Sequence, residues 1–169
     1  MRAKFIYEVL SFKRGDENPL SNLGVGKVYL IKSWLDEMHI TNYNINDNLT
    51  INVNGNIDLH NKKLVKFPDY IKFNRVKGSF DCSHNELVFL KGCPNYISKS
   101  FLCNNNKLIS LEKCPRYVGR DCYINNNKLT SLKGCPPYTR GDFYCYDNEK
   151  RFTENEVQQL CNVEGYIYV

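Results

Sequence analysis

The chain has no apolar run long enough to cross a bilayer or serve as a secretory leader; its opening, Met1-Arg-Ala-Lys-Phe5, is polar within two residues. It has a single tryptophan, two methionines and three histidines in 169 residues, and no pair of cysteines at Cys-x-x-Cys spacing. The first absence argues against membrane insertion and export. Without Cys-x-x-Cys there is no zinc-ribbon or redox signature. His39, His60 and His84 fall at unrelated repeat positions, form no plausible Ser or Cys nucleophile constellation, and read as surface or helix-end histidines. Leu23-Gly24-Val25-Gly26-Lys27 glances at a phosphate loop, but its spacing is wrong and no Ser or Thr follows the lysine, so it reads as an ordinary turn. The sequence offers no catalytic constellation, metal set or cofactor motif, and the expectation is a non-enzymatic protein.

What is present is repetition. Phe80, Cys82, Asn85, Leu87, Leu90, Cys93, Pro94 and Tyr96 return twenty-one residues later as Phe101, Cys103, Asn106, Leu108, Leu111, Cys114, Pro115 and Tyr117. The same spacing then gives Cys122, Ile124, Asn127, Leu129, Leu132, Cys135, Pro136 and Tyr138, and a shortened copy gives Phe143, Cys145 and Asn148. A fixed period near twenty predicts a solenoid, because one unit cannot bury its apolar face without its neighbours. Two apolar residues two apart share one face of a short extended segment. The asparagine that follows marks a turn, and its amide, a donor and an acceptor together, can satisfy backbone groups of its own loop and the next. Asn85, Asn106, Asn127 and Asn148 are therefore expected to form a ladder.

The register also explains the eight cysteines. Cys82, Cys103 and Cys145 alternate with Ile124, and Cys122 stands where other copies carry Phe, so cysteine serves as a small buried hydrophobe. So many free thiols imply a reducing, cytoplasmic compartment.

The motif apolar-x-apolar-x-x-Asn-x-Leu-x-x-Leu resembles the leucine-rich repeat family over roughly residues 55–152. The short cysteine-bearing units are similar to those of some bacterial and bacteriophage proteins. The resemblance implies an α/β solenoid with a parallel β-sheet on a concave face. It also implies partner binding on that face, as in a host-directed adaptor or inhibitor. Residues 1–54 are read as an N-terminal segment and cap, with a helix over about 27–39 holding Trp34 and a hairpin strand at about 49–53. That strand is expected to turn back at Asn54-Gly55, the strongest short hairpin signal. Residues 153–169 are read as a C-terminal helical cap, opened by the capping box Thr153-x-x-Glu156 and closed by a strand within 165–169. The apolar stretch Phe5–Phe12 is expected to pack on the cap, or to dock on a partner.

Strand positions between core residues give the binding candidates. One column runs Asp58, Asp81, Leu102, Tyr123, Tyr144, and the next His60, Ser83, Asn104, Asn125, Tyr146. Leu102, Tyr123, Asn125, Tyr144 and Tyr146 form the candidate protein contact, since tyrosine offers a large area at low entropic cost. Tyr70, Tyr96, Tyr117 and Tyr138 recur so regularly that they read as a packed ladder. Charge is uneven: residues 55–152 carry seventeen basic and nine acidic side chains, a net of +8, while the preceding 54 residues balance. Lys77, Lys99, Arg120 and Arg140 precede successive strands and could line an edge that holds nucleic acid or another polyanion. A third reading is self-assembly of the stack. Oligomeric state and the partner's identity stay open at this point.

Overall fold

The computed structural model describes residues 19–169, so the apolar stretch Phe5–Phe12 lies outside the described residues. Helix α1 (Pro19–Glu37) opens on a proline, whose missing N–H costs nothing in the first turn. Ile31, Trp34 and Leu35 recur at helical spacing and are buried. The helix stops in a Schellman motif. Ile40 N–H reaches Leu35 C=O at 2.8 Å and His39 N–H reaches Asp36 C=O at 3.0 Å, with His39 in the left-handed region (φ 56°) and Ile40 buried. The helix therefore begins eight residues before the expected 27. Gly24 and Gly26 lower helix propensity but remove no hydrogen bond, and the supposed turn is helical.

Thirteen short strands follow. They are β1 (Tyr43–Ile45), β2 (Ile51–Val53), β3 (Ile57–Asp58), β4 (Phe73–Val76), β5 (Phe80–Asp81), β6 (Tyr96–Ile97) and β7 (Phe101–Leu102). Next come β8 (Tyr117–Val118), β9 (Cys122–Tyr123), β10 (Tyr138–Thr139) and β11 (Phe143–Tyr144). After helix α2 (Glu154–Gln158) come β12 (Asn162–Val163) and β13 (Ile167–Tyr168). They form two sheets, a first of order β1-β2-β4-β6-β8-β10-β12 and a second of order β3-β5-β7-β9-β11-β13. Apart from the antiparallel pair β1–β2, every pairing is parallel. The chain is a β-solenoid of about six turns. Each coil runs along one strand of the first sheet, rounds a three-residue corner, and leaves along one strand of the second. Two sheets meeting at a corner thus stand where a single concave sheet was expected.

The corner corrects the hairpin. Asn54-Gly55 joins β2 to β3, which lie in different sheets. Val53 and Ile57, on either side, both point into the core at 1% exposure, whereas a two-residue Asn-Gly turn would pair Val53 with Asn56 and send Ile57 to the opposite face. The antiparallel partner of β2 is β1, reached by the loop in which Asn46 N–H donates to Thr50 C=O at 2.8 Å.

The core is stacked columns: Phe80, Phe101, Cys122 and Phe143; Cys82, Cys103, Ile124 and Cys145; Leu87, Leu108 and Leu129. All eight cysteines are free and buried, as their exchange with Ile and Phe implied. The asparagine ladder is present. Asn106 Nδ2 donates to Cys82 C=O at 3.0 Å and Cys103 C=O at 3.2 Å, while its Oδ1 accepts from Leu87 N–H at 2.9 Å. Asn127 repeats this one coil on, donating to Cys103 and Ile124 and accepting from Leu108. Each amide thereby ties two coils together inside a buried turn. Asn106→Ala leaves the buried Leu87 N–H unpaired and takes one of two amide donors from the Cys82 and Cys103 carbonyls, which keep Asn85 and Asn127, and is expected to cost about 1–3 kcal/mol in a urea melt. A neutral result would mean that the turn is satisfied by other groups.

At the far end, Thr153 Oγ1 accepts from Glu156 N–H at 3.3 Å and Glu156 Oε2 accepts from Thr153 N–H at 2.9 Å, the expected capping box. Val157 of α2 is buried, and β12 and β13 add one more strand to each sheet. Among the described residues no helix is long and apolar enough to cross a membrane.

Candidate functional site

In β5, β7, β9 and β11 the first residue is buried and the second half-buried, which settles the side chains on the second sheet's outer face. In-register pairing places Asp58, Asp81, Leu102, Tyr123, Tyr144 and Tyr168 in one column across β3, β5, β7, β9, β11 and β13. Identical residues in register sit one strand spacing apart, close to the thickness of stacked rings. Tyr123 and Tyr144 stack at 4.4 Å and 6°, Tyr144 and Tyr168 at 4.5 Å and 2°. The stack consumes the faces of the inner rings and presents their edges and hydroxyls. Tyr144 Oη donates to Asp142 Oδ2 at 3.2 Å. Desolvation within the stack, then the neighbouring Tyr123 and Asp142, push the Tyr144 phenol well up from its ordinary value. Desolvation followed by the Asp121 charge raises Tyr123 as well. Both phenols stay neutral donors at physiological pH.

The structure brings Leu102, Tyr123 and Tyr144 together, with Tyr146 38% exposed in the adjoining column. Asn125 lies beneath that surface at 4% exposure, and its Oδ1 has no hydrogen-bond partner. Tyr168, absent from the sequence-derived set, completes the stack. Its signal was the match of Gly165, Ile167 and Tyr168 to Gly141, Phe143 and Tyr144. Toward the N-terminal end the column satisfies itself. Ser83 Oγ donates to Asp81 at 2.6 Å, His60 Nδ1 meets Ser83 Oγ at 3.1 Å, and the His60 ring packs against His84 at 4.9 Å, tilted by 58°.

The first sheet carries a second ladder. The Arg75 guanidinium lies 4.2 Å over Tyr96, Tyr96 stacks on Tyr117 at 4.7 Å, and Tyr117 on Tyr138 at 5.2 Å. Tyr70 is not part of it, because Arg75 is the residue in register with Tyr96. Tyr138 Oη hydrogen-bonds Glu164.

Lys77, Lys99, Arg120 and Arg140 all lie exposed at the corners between the sheets. Lys77 and Arg140 take the first corner residue, Lys99 and Arg120 the second. Arg120 and Arg140 border a cleft of about 410 Å³ that also exposes Asp121, and Arg140 Nε is 3.8 Å from Glu164. The edge is cationic but interrupted by carboxylates.

These features define a class, a parallel β-solenoid with in-register aromatic ladders on two outer faces. Compared with family models, curated proteins and solved structures, the chain finds no match.

Proposed function

We propose that this chain is a non-enzymatic recognition module that holds a protein partner against the outer face of its second sheet. The observation that carries the reading is the stack of Tyr123, Tyr144 and Tyr168, flanked by Leu102 and Tyr146. Three rings already fixed against one another lose little entropy when a partner arrives, and the neutral Tyr123 hydroxyl can donate to a carbonyl or carboxylate. The Asn-x-Leu-x-x-Leu wording supports placing the chain near the short leucine-rich repeats, in a variant that spreads each coil over two sheets. On this reading α1 with β1, and α2, close the two ends of the stack, and a host-directed adaptor or inhibitor is the fitting role. A nuclease-treated lysate of the source cell or its host, passed over the wild type and over Tyr123→Ala/Tyr144→Ala/Tyr168→Ala, tests it. One protein is expected to be retained by the wild type and lost from the variant, whose circular dichroism spectrum stays that of the folded chain. A partner held equally by both would refute the site.

The four corner cations favour a second reading, a polyanion held along the edge. It requires that retained nucleic acid fall away steeply with salt and that Lys99→Ala/Arg120→Ala abolish retention. The inner tyrosines weigh against base stacking there, since their faces are already occupied.

A further inference from the structure

Each coil has a third side, between the asparagine ladder and the Cys-Pro turn, that neither sheet uses. Leu87, Leu108 and Leu129 point inward from it, but the residues beside them do not. Val65, Phe89 and Ile109 are exposed at 56%, 55% and 55%. The coils are held in register along this side by Glu86 N–H to Leu64 C=O (2.9 Å), Val88 N–H to Val65 C=O (3.3 Å) and Lys107 N–H to Leu87 C=O (2.9 Å). Val65 and Ile109 therefore stand two coils apart, with half-buried Val88 and exposed Phe89 on the coil between. Beside Phe89 a cleft of about 290 Å³ opens down to Phe67 and is rimmed by Lys66, Lys91 and Lys113 and by Asp69 and Glu112. A contiguous apolar strip of this kind, with polar residues around it, marks a contact surface.

Charge says what kind of contact. Three lysines on this side are spoken for, by Lys91–Asp69 at 2.8 Å, Lys107–Glu86 at 2.7 Å and Lys128–Glu149 at 3.0 Å. Lys62, Lys63, Lys66, Lys113 and Lys133 are exposed and make no salt bridge among the described residues, against one carboxylate, Glu112, that likewise makes none. An isologous second copy would lay these lysines against their own images, which is repulsive. A nucleic acid would satisfy the lysines and leave Phe89 and Ile109 facing phosphate.

We propose that this side is a docking groove for an acidic amphipathic helix, lying along the solenoid axis with its apolar stripe on Val65, Phe89 and Ile109 and its carboxylates toward the lysines. The dimensions agree. A helix turn advances about 5.4 Å and a coil about 4.8 Å, so apolar residues at i, i+4 and i+7 meet three successive coils before the two repeats drift apart. The groove is on a different side of the coil from the tyrosine stack and does not rest on the function proposed for it.

The probe is a fluorescein-labelled sixteen-residue peptide with Leu at i, i+4, i+7 and i+11, Glu on both flanks and Ala elsewhere, titrated with the full chain while polarisation is read. Two control peptides carry Lys for every Glu, or Ser for every Leu. The acidic peptide is expected to bind, to lose affinity as salt rises, and to lose about tenfold or more on Phe89→Ser or Ile109→Ser, since each removes a buried apolar contact. Both substitutions are at exposed positions, so melting temperature stays near that of the wild type. Tyr123→Ala/Tyr144→Ala/Tyr168→Ala is expected to bind the peptide as the wild type does, which separates this groove from the other face. Polarisation unchanged at millimolar chain, equal binding of the Lys peptide, or indifference to Phe89→Ser would each overturn the proposal. So would sedimentation showing a wild-type dimer that Phe89→Ser dissociates, which would assign the strip to a second copy.

Discussion

Gly119→Ala is expected to destabilise the fold by about 3 kcal/mol or more, at the top of the range for overpacking a filled site. A Cβ on Gly119 would stand 2.2 Å from the Ser98 carbonyl oxygen, 2.7 Å from its carbon and 3.2 Å from its Cα. All three are backbone atoms of the coil beneath, so no rotamer change relieves the contact. Moving that coil away would break the bonds that stack the corner, Gly119 N–H to Ile97 C=O at 2.9 Å and Arg120 N–H to Lys99 C=O at 3.1 Å. Gly55, in the first corner, is the control, since a Cβ there meets nothing within 4 Å. Gly55→Ala is expected to be neutral or stabilising by up to about 1 kcal/mol, through the unfolded state. Guanidinium melts of the two variants give the comparison. Equal stabilities would mean that the coils are not in contact at the corner.

The same corner explains where the sequence could be read and where it could not. The Asn ladder, the inward leucines and the core cysteines were legible because each recurs at twenty-one residues, and one column of a stack can only face one way. The two sheets were not. Strands of two residues show no alternation, and nothing in Tyr96-Ile97 or Phe101-Leu102 distinguishes a corner between two strands from one strand with a kink. Asn54-Gly55 misled for a related reason. Its local chemistry suits a reversal, but the next coil supplies parallel partners for both flanking strands, and those longer-range bonds decide the pairing. Changes in spacing account for the misplaced tyrosines. Arg75 stands twenty-one residues before Tyr96 and so takes the ladder position, whereas Tyr70 stands twenty-six before it, five residues short. The last coil takes twenty-four from Thr139 to Val163, which hid Tyr168. Asn125 follows the periodicity of an outward column yet is buried.

Raising the pH should unfold the protein cooperatively near pH 10, because the core is built from thiols. Burial pushes all eight upward from the ordinary value of 9.0: Cys82, Cys93, Cys103, Cys114, Cys122 and Cys161, with Cys135 and Cys145 reaching about 12. A thiol whose folded value is raised holds its proton in the native state after the unfolded chain has released it. Above pH 9 the unfolded state therefore binds fewer protons, and stability falls as pH rises. Below that value the contribution is complete. Each thiol loses about 1.4 kcal/mol per pH unit inside the window. Eight groups acting in the same direction remove a large share of the about 5–15 kcal/mol of a whole domain. The phenols of Tyr123 and Tyr144, also raised, act in the same direction one unit later. Circular dichroism followed from pH 7 to 11 under reductant gives the midpoint. Cys82→Val/Cys103→Val/Cys145→Val, in a column where Ile124 shows that a branched side chain fits, removes three of the eight titrating groups. By the same linkage it is expected to move the midpoint up by about half a unit. A thiol reagent at pH 8 is expected to find the native cysteines unreactive and all eight available in guanidinium. A fold that persists unchanged past pH 11 would require buried thiolates with partners, and the polar side chains bonded to cysteine sulfur among the described residues are the Thr139 hydroxyl at Cys161 (3.5 Å) and the Asn106 amide at Cys103 (3.9 Å).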